Sequence, residues 1–264
     1  MSTTHLKPED FASWQEYYTT YQYKLAELHY IPLFKDWGVN VKGKKVLDVG
    51  CGDGGFTTAI ADAGAKCTGV EVRDFGWNSE NPNLRFIQQD ILAEEAAEKI
   101  GNDYDIIILR DVIEHIDLKV KHEFMLALQK FTTSSGILLM TFPPFYSPFG
   151  LHQQTFLSSF LRKVPYLGWI PGPILHLLIS LLGESEKARA DVREIRDCRM
   201  TIGRFKRMLK RLEYSIDKEK YFLIRPSHEL RYGWPLRESR LSRFPILREI
   251  FILGTVFKLS LHSK

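Results

Sequence analysis

Through the first half of the chain, short apolar runs alternate with segments whose apolar residues recur every three or four positions. Residues 45–49, 67–70, 84–87, 104–109 and 136–142 read as strands, and 56–63, 93–100 and 121–131 as intervening helices. The 104–109 run is an apolar strand of the kind expected at the centre of a parallel sheet. This rhythm predicts an α/β fold, a doubly wound, mostly parallel sheet with helices on both faces. Right-handed crossovers then place a ligand site at the C-terminal ends of the strands.

Three stretches lie outside the rhythm. Residues 10–36 read as one or two tyrosine-rich helices, either covering a cleft or simply packed on the sheet. After Pro143, residues 145–200 form an insertion rich in aromatics and prolines. A basic helix at 203–212, a strand from Tyr214 and a last apolar run at 251–261 then resume the pattern, the final pair as an antiparallel hairpin at the sheet edge. The expected parts are an N-terminal helical cap (1–40), a ligand-binding core (41–144), an inserted substrate cap (145–202) and the remainder of the sheet (203–264).

Within the insertion, residues 164–183 contain no Asp, Glu, Lys or Arg. A spanning helix needs about 20 apolar residues. Pro165, Pro171 and Pro173 restrict the uninterrupted helix to 174–182, too short to span. A buried lid over a substrate cavity and a helix lying on a membrane surface both fit, the second helped by Arg162 and Lys163.

Composition narrows the picture a little. The 264 residues are 44% hydrophobic, enough for a sizeable core. Lys and Arg number 36 against 32 Asp and Glu, a formal charge of +4, which is weak for a generic nucleic-acid binder. The basic residues nonetheless gather in the last third, at 189–211 and 225–248, so nucleic acid is disfavoured rather than excluded. Cys51, Cys67 and Cys198 form no CxxC pair, and the polar N-terminus has no signal-peptide core. A reducing, cytoplasmic location is the expectation, with the inner face of a membrane as its alternative.

The first candidate site is the turn VLDVGCGDGGF at 46–56, where Gly50, Gly52, Gly54 and Gly55 link a strand to a helix. Glycines let the backbone approach a ligand, and the helix start offers free N–H groups. Gly50-x-Gly52-x-x-Gly55 also satisfies the dinucleotide fingerprint. Glu71, ending the second strand, suits ribose hydroxyls in either case. Asp48 discriminates: a carboxylate sits poorly beside a pyrophosphate but suits a cofactor carrying a sulfonium and an ammonium.

Together with FIQQDI at 86–91, YDIIILRDVIEHI at 104–116 and GILLMTFPP at 136–144, this turn resembles the motifs of class I S-adenosylmethionine-dependent methyltransferases, in their small-molecule, ubiquinone-biosynthesis-like branch. The resemblance covers roughly 40–145. It implies S-adenosyl-L-methionine as cofactor, with Asp48, Gly50, Cys51, Gly52 and Gly54 at the first turn, and Glu71 and Val72 at the ribose. Asp90 and Ile91 would hold the adenine, and Arg110 would border the methionine end. It also implies a Rossmann-like, seven-stranded sheet of order 3-2-1-4-5-7-6 with the last strand antiparallel.

Methyl transfer asks the protein to align a nucleophile, exclude water and, for an oxygen or nitrogen acceptor, supply a base. His115, His152 and Tyr146 are the catalytic candidates. If 111–115 is helical, Asp111 shares a face with Glu114 and His115. Similar acidic-x-x-Glu-His runs contribute to divalent-metal sites in ubiquinone-type and small-RNA 2′-O-methyltransferases. Here the first acid is aspartate and no second helical histidine motif follows, so no metal site is assigned. In FPPFYSPFGLHQQ, Phe145, Tyr146 and Phe149 are expected to wall an acceptor pocket. The expected substrate is a small or lipid-linked molecule methylated on oxygen. RNA or protein methylation and a non-catalytic cofactor-binding scaffold are the alternatives.

Overall fold

The computed structural model describes residues 5–261, so residues 1–4 of the N-terminal cap and 262–264 of the C-terminal part lie outside the described residues. One sheet organises the chain. Its strands are β1 (Lys45–Val49), β2 (Lys66–Glu71), β3 (Leu84–Gln88), β4 (Tyr104–Arg110), β5 (Thr132–Phe142), β6 (Tyr214–Ile224), β7 (Arg237–Glu238) and β8 (Gly254–Leu261). The helices are α1 (Trp14–Leu25), α2 (Ile31–Asp36), α3 (Gly55–Asp62), α4 (Ala96–Ile100), α5 (Lys121–Phe131), α6 (Gln153–Phe156), α7 (Gly172–Leu181), α8 (Glu186–Cys198), α9 (Ile202–Arg211), α10 (Pro226–Tyr232) and α11 (Pro245–Phe251).

The strand order is β3-β2-β1-β4-β5-β8-β6-β7. The first five are mutually parallel, and β8 runs antiparallel between β5 and β6. The expected seven strands are therefore corrected to eight among the described residues. The extra one, β7, is a two-residue edge strand beside Phe222 and Ile224. Both its residues are exposed and charged, so it has no apolar alternation to read. Without it, the order matches the expectation. The expected terminal hairpin is a β6–β8 pair joined by a long connection that carries α10, β7 and α11, and β8 is internal to the sheet.

Strand periodicity sorts the core. Ile107 and Leu109 of β4 face one layer, with α5 and α9, while Ile106 and Ile108 face the other, with α1 to α3. Both layers exclude water, which is why β4 carries no polar alternation. The start of α1 is fixed by Ser13, whose Oγ accepts from Glu16 N, while Glu16 accepts from Ala12 N. Tyr17, Tyr21 and Leu25, spaced by four, then bury one face of α1. A π-helical segment, Ala26–Tyr30, joins α1 to α2.

The insertion builds its own small core from Phe145, Leu151, Leu161, Leu167, Leu175, Ile179, Val192 and Ile195. Its uncharged helix, α7, begins at Gly172 rather than 174, because Pro173 falls in the first turn, where a missing N–H costs nothing. No helix among the described residues is long and apolar enough to cross a membrane.

Candidate active site

A cleft of about 1220 Å³ opens at the C-terminal ends of β1, β2 and β4. The turn after β1 forms its floor. Gly50 takes φ +76°, and a Cβ there would meet Val112 at 2.3 Å, so only glycine lets the turn pass beneath the β4 loop. Gly54 begins α3 at φ +84°, and a Cβ would enter the Phe86 ring. Trp77 stacks on Phe86 and donates from Nε1 to Gly52 O at 2.8 Å, bracing the turn from outside. Gly50, Cys51 and Gly52 line the cleft. Burial pushes the Cys51 thiol up, and nearby Asp48 and Glu71 push it further.

Asp48 lies beneath the turn rather than in the cleft wall. It is 2% exposed and accepts from Thr57 Oγ1 at 2.6 Å. Burial raises its carboxyl to about 6, against the Thr57 hydrogen bond and Arg110. Glu71 and Val72 line the cleft, and Glu71 accepts from Val72 N at 2.9 Å. Asp90 and Ile91 line it as well, Asp90 accepting from Leu92 N at 2.9 Å. Arg110 lies over the Phe56 ring and donates to Gln22 Oε1 at 2.6 Å, so α1 closes one side of the same space. Trp14, Tyr18 and Tyr21 of α1 complete that side, so α1 is both packed helix and cleft cover.

Residues 111–116 correct one expectation: they form a turn, not a helix, and α5 begins only at Lys121. Asp111 takes φ +53° and is held by Thr141 Oγ1 at 2.9 Å and Arg225 Nη2 at 2.6 Å. Burial alone would raise its carboxyl, yet Arg225 and Arg110, with His152 and Thr141, bring it down to about 2. The turn still gathers Glu114 and His115, and it does so opposite His152. Their donor atoms lie within 4.8 Å of one another. Glu114 Oε1 and His152 Nε2 are 3.6 Å apart, and His115 Nδ1 is 3.0 Å from Glu194 Oε1. Both Glu114 carboxylate oxygens and His152 Nε2 are buried without a hydrogen-bond partner. Burial, then the charge of Asp111, holds the Glu114 carboxyl well above the usual range. Burial, then His115, lowers His152 to about 3, so its imidazole is neutral. An acceptor-rich set of this kind fits a divalent cation.

His115 and His152 thus reach the cleft, whereas Tyr146 does not. Tyr146 packs on Phe145 and Trp169 inside the insertion, and Trp169 Nε1 donates to its carbonyl. Of the expected apolar wall only Phe149 lines the cleft, because Phe145 is buried in the core of the insertion. Sequence reasoning missed Gln22, Arg225, His228 and Arg231, which also line it. Arg225 and Arg231 fall in the basic C-terminal third, but no spacing ties α10 to β4. Burial, then Arg225 and Arg231, lowers His228 to about 3.

Fold and cleft together define a Rossmann-like methyltransferase fold. The chain belongs to the methyltransferase domain family, whose model matches residues 17–162. It is 36% identical over 95 residues to a ubiquinone biosynthesis O-methyltransferase of Pseudomonas fluorescens, covering 32% of this chain and 40% of the relative. It is 30% identical over 126 residues to an uncharacterized methyltransferase of Mycobacteroides abscessus, covering 44% and 46%. The chain therefore spans less than half the length of these curated relatives. Among solved structures, magnesium protoporphyrin IX methyltransferase from Synechocystis, with bound S-adenosylhomocysteine, superposes with a TM-score of 0.52 at 15% identity. That match covers 95% of this chain and 88% of the other.

Proposed function

We propose that the protein is an S-adenosylmethionine-dependent methyltransferase acting on an oxygen of a small or lipid-linked acceptor. The observation that carries this reading is the convergence in one cleft of the glycine turn, Glu71 and Asp90 with His115 and His152. S-adenosylmethionine, when bound, supplies an electrophilic methyl group on a sulfonium. Gly50, Cys51 and Gly52 would present backbone to it, Glu71 would accept from the ribose hydroxyls, and Asp90 would accept from the adenine amino group beside the apolar Ile91. Asp48 acts from below, setting the turn through Thr57. Arg110, fixed by Gln22 and Phe56, borders the methionine end.

The acceptor then lies between Arg110 and the insertion, whose Phe149, Gln154 and Phe156 line the cleft. A neutral His152 takes the proton from the acceptor hydroxyl, and His115, oriented by Glu194, stands beside it. Tyr146 acts only through packing. In place of His152 acting as base, Glu114, His115 and His152 would hold a divalent cation, which when bound would supply a Lewis acid to the acceptor oxygen. The apolar stripe Ile174, Leu177 and Leu181, exposed on α7 beside Trp169, supports a lipid-linked acceptor met at a membrane surface.

Tritiated methyl transfer into separated small-molecule, lipid, RNA and protein fractions tests the reading. Label is expected in the first two, lowered by chelation if the cation takes part. Label in RNA or protein alone contradicts the acceptor class, and cofactor binding without label in any fraction points to a scaffold.

A further inference from the structure

The cleft has an end that neither the glycine turn nor the histidines occupy. It forms where α10, after β6, lies against α1. Leu6 N donates to Leu230 O at 2.8 Å and the His5 ring meets Arg231 O at 3.1 Å, so the N-terminal segment straps α10 in place. Arg225, Arg231 and Tyr232 line this end from one side, and Trp14, Tyr18 and Tyr21 of α1 from the other.

Three partly buried guanidinium groups stand in the cleft wall, those of Arg110, Arg225 and Arg231, and they are not equivalent. Arg225 is paired with Asp111 at 2.6 Å. Arg110 donates to Gln22 and lies over Phe56, next to the glycine turn, with Asp111 4.0 Å away. Arg231 pairs with no carboxylate among the described residues; Glu229, on the same helix, is turned to His29 at 3.3 Å. What faces Arg231 is aromatic: the rings of Tyr21 and Tyr232 are each 5.6 Å from its Cζ, with Tyr17 and Tyr18 also near. Such rings hold a cation in place but bring no counter-charge. A guanidinium drawn partly out of water without an anion is costly, and its planar fork matches a carboxylate through two parallel hydrogen bonds.

The cofactor of the proposed reaction would bring one carboxylate, at its methionine end, and Arg110 beside the glycine turn is the guanidinium placed for it. Arg231 stands elsewhere. The charges of Arg225 and Arg231 both act on His228, and those of Asp111 and Arg225 on His152, so the Asp111–Arg225 pair links the histidines to Arg231. An acceptor whose hydroxyl lies at His152 would therefore present its far end to Arg231. We infer that Arg231 selects an aromatic acceptor that carries a carboxylate, its guanidinium holding the anion while Tyr18 and Tyr232 pack on the ring. This rests on the methyltransferase reading and narrows its acceptor class.

The full chain, saturated with S-adenosylhomocysteine, is titrated by calorimetry with benzoate and with its neutral isostere benzamide. Benzoate is expected to bind at least about ten-fold tighter than benzamide, the worth of a charge-assisted hydrogen bond. Arg231→Met should erase that preference, Arg231→Lys should keep part of it, and S-adenosylhomocysteine affinity should be the same in both. Rescue by lysine separates anion binding from packing. If Arg231→Met does not fold, Arg231→Gln replaces it, and the preference of the wild type still tests the site. No binding of benzoate, equal binding of the two probes, or a preference that survives loss of the Arg231 charge overturns the inference. A fall in S-adenosylhomocysteine affinity in Arg231→Met overturns it too, by assigning Arg231 to the cofactor carboxylate. Failure of S-adenosylhomocysteine to bind the wild type sinks the methyltransferase reading itself, and the inference with it.

Discussion

The sheet and the insertion solve the same packing problem with different amounts of material. Residues of β4 are sealed by helices on both sides, and the cleft sits on that rigid base. The insertion has one small core, and its central helix α7 buries Leu175 and Ile179 while leaving Ile174, Leu177 and Leu181 in solvent. A rigid base suits a site whose groups must be held in register. A cap with a smaller core and an apolar surface suits a part that opens for an acceptor or meets a surface.

The largest effect that sharpens this contrast is at the join. Asp111→Asn leaves Arg225 without its carboxylate in a partly buried place, and is expected to cost about 3 kcal/mol or more. Because the native carboxyl is lowered to about 2, its stabilisation is fully present above about pH 4 and fades as pH falls through 2. That pH-dependent part is about 2 kcal/mol. Urea unfolding of both forms from pH 7 to pH 2 should show the gap narrowing with acid, and a constant gap would remove the ionic account. Next, Ile107→Ala and Leu175→Ala each delete a fully buried aliphatic group, at about 2–5 kcal/mol. Proteolysis should show Ile107→Ala loosening the whole chain, but Leu175→Ala loosening only the insertion. If both loosen everything, the two regions form one cooperative unit.

The core was legible because each element has its own period and each expected cofactor-binding position follows its own strand end. Asp48, Glu71 and Asp90 are readable from position alone, although only Glu71 and Asp90 face the cleft. The insertion was not. Tyr146 and Phe149 are neighbours in a proline-stiffened loop, and nothing local tells which turns inward. The spacing of Asp111, Glu114 and His115 suits one face of a helix, whereas a left-handed Asp111 held by Arg225 turns the chain instead. Arg225 lies far along the chain, so no short-range pattern points to it.

Smaller effects test the insertion itself. Glu184 accepts from Ser158 N, Ser158 Oγ and Ser159 N, tying the loop before α7 to the turn after it. Glu184→Ala should cost about 1–3 kcal/mol and speed cleavage near 158. Ile174→Ser with Leu177→Ser and Leu181→Ser should change stability by no more than about 0.5 kcal/mol per position, about 1.5 kcal/mol together, since these groups are already exposed. On the proposed reading it lowers acceptor use or vesicle binding and leaves cofactor affinity alone. This surface triple is a cleaner probe than deleting 168–182, which would also remove Leu175 and Ile179 from the core of the insertion.

The central claim is that the cleft above the glycine turn holds S-adenosylmethionine through Glu71. Calorimetry of S-adenosylhomocysteine with the wild type and Glu71→Ala is its most direct test. The account predicts one site per chain and at least about a ten-fold loss of affinity in the variant, the worth of a charge-assisted hydrogen bond. No binding to the wild type, or equal affinity in the two proteins, would contradict it.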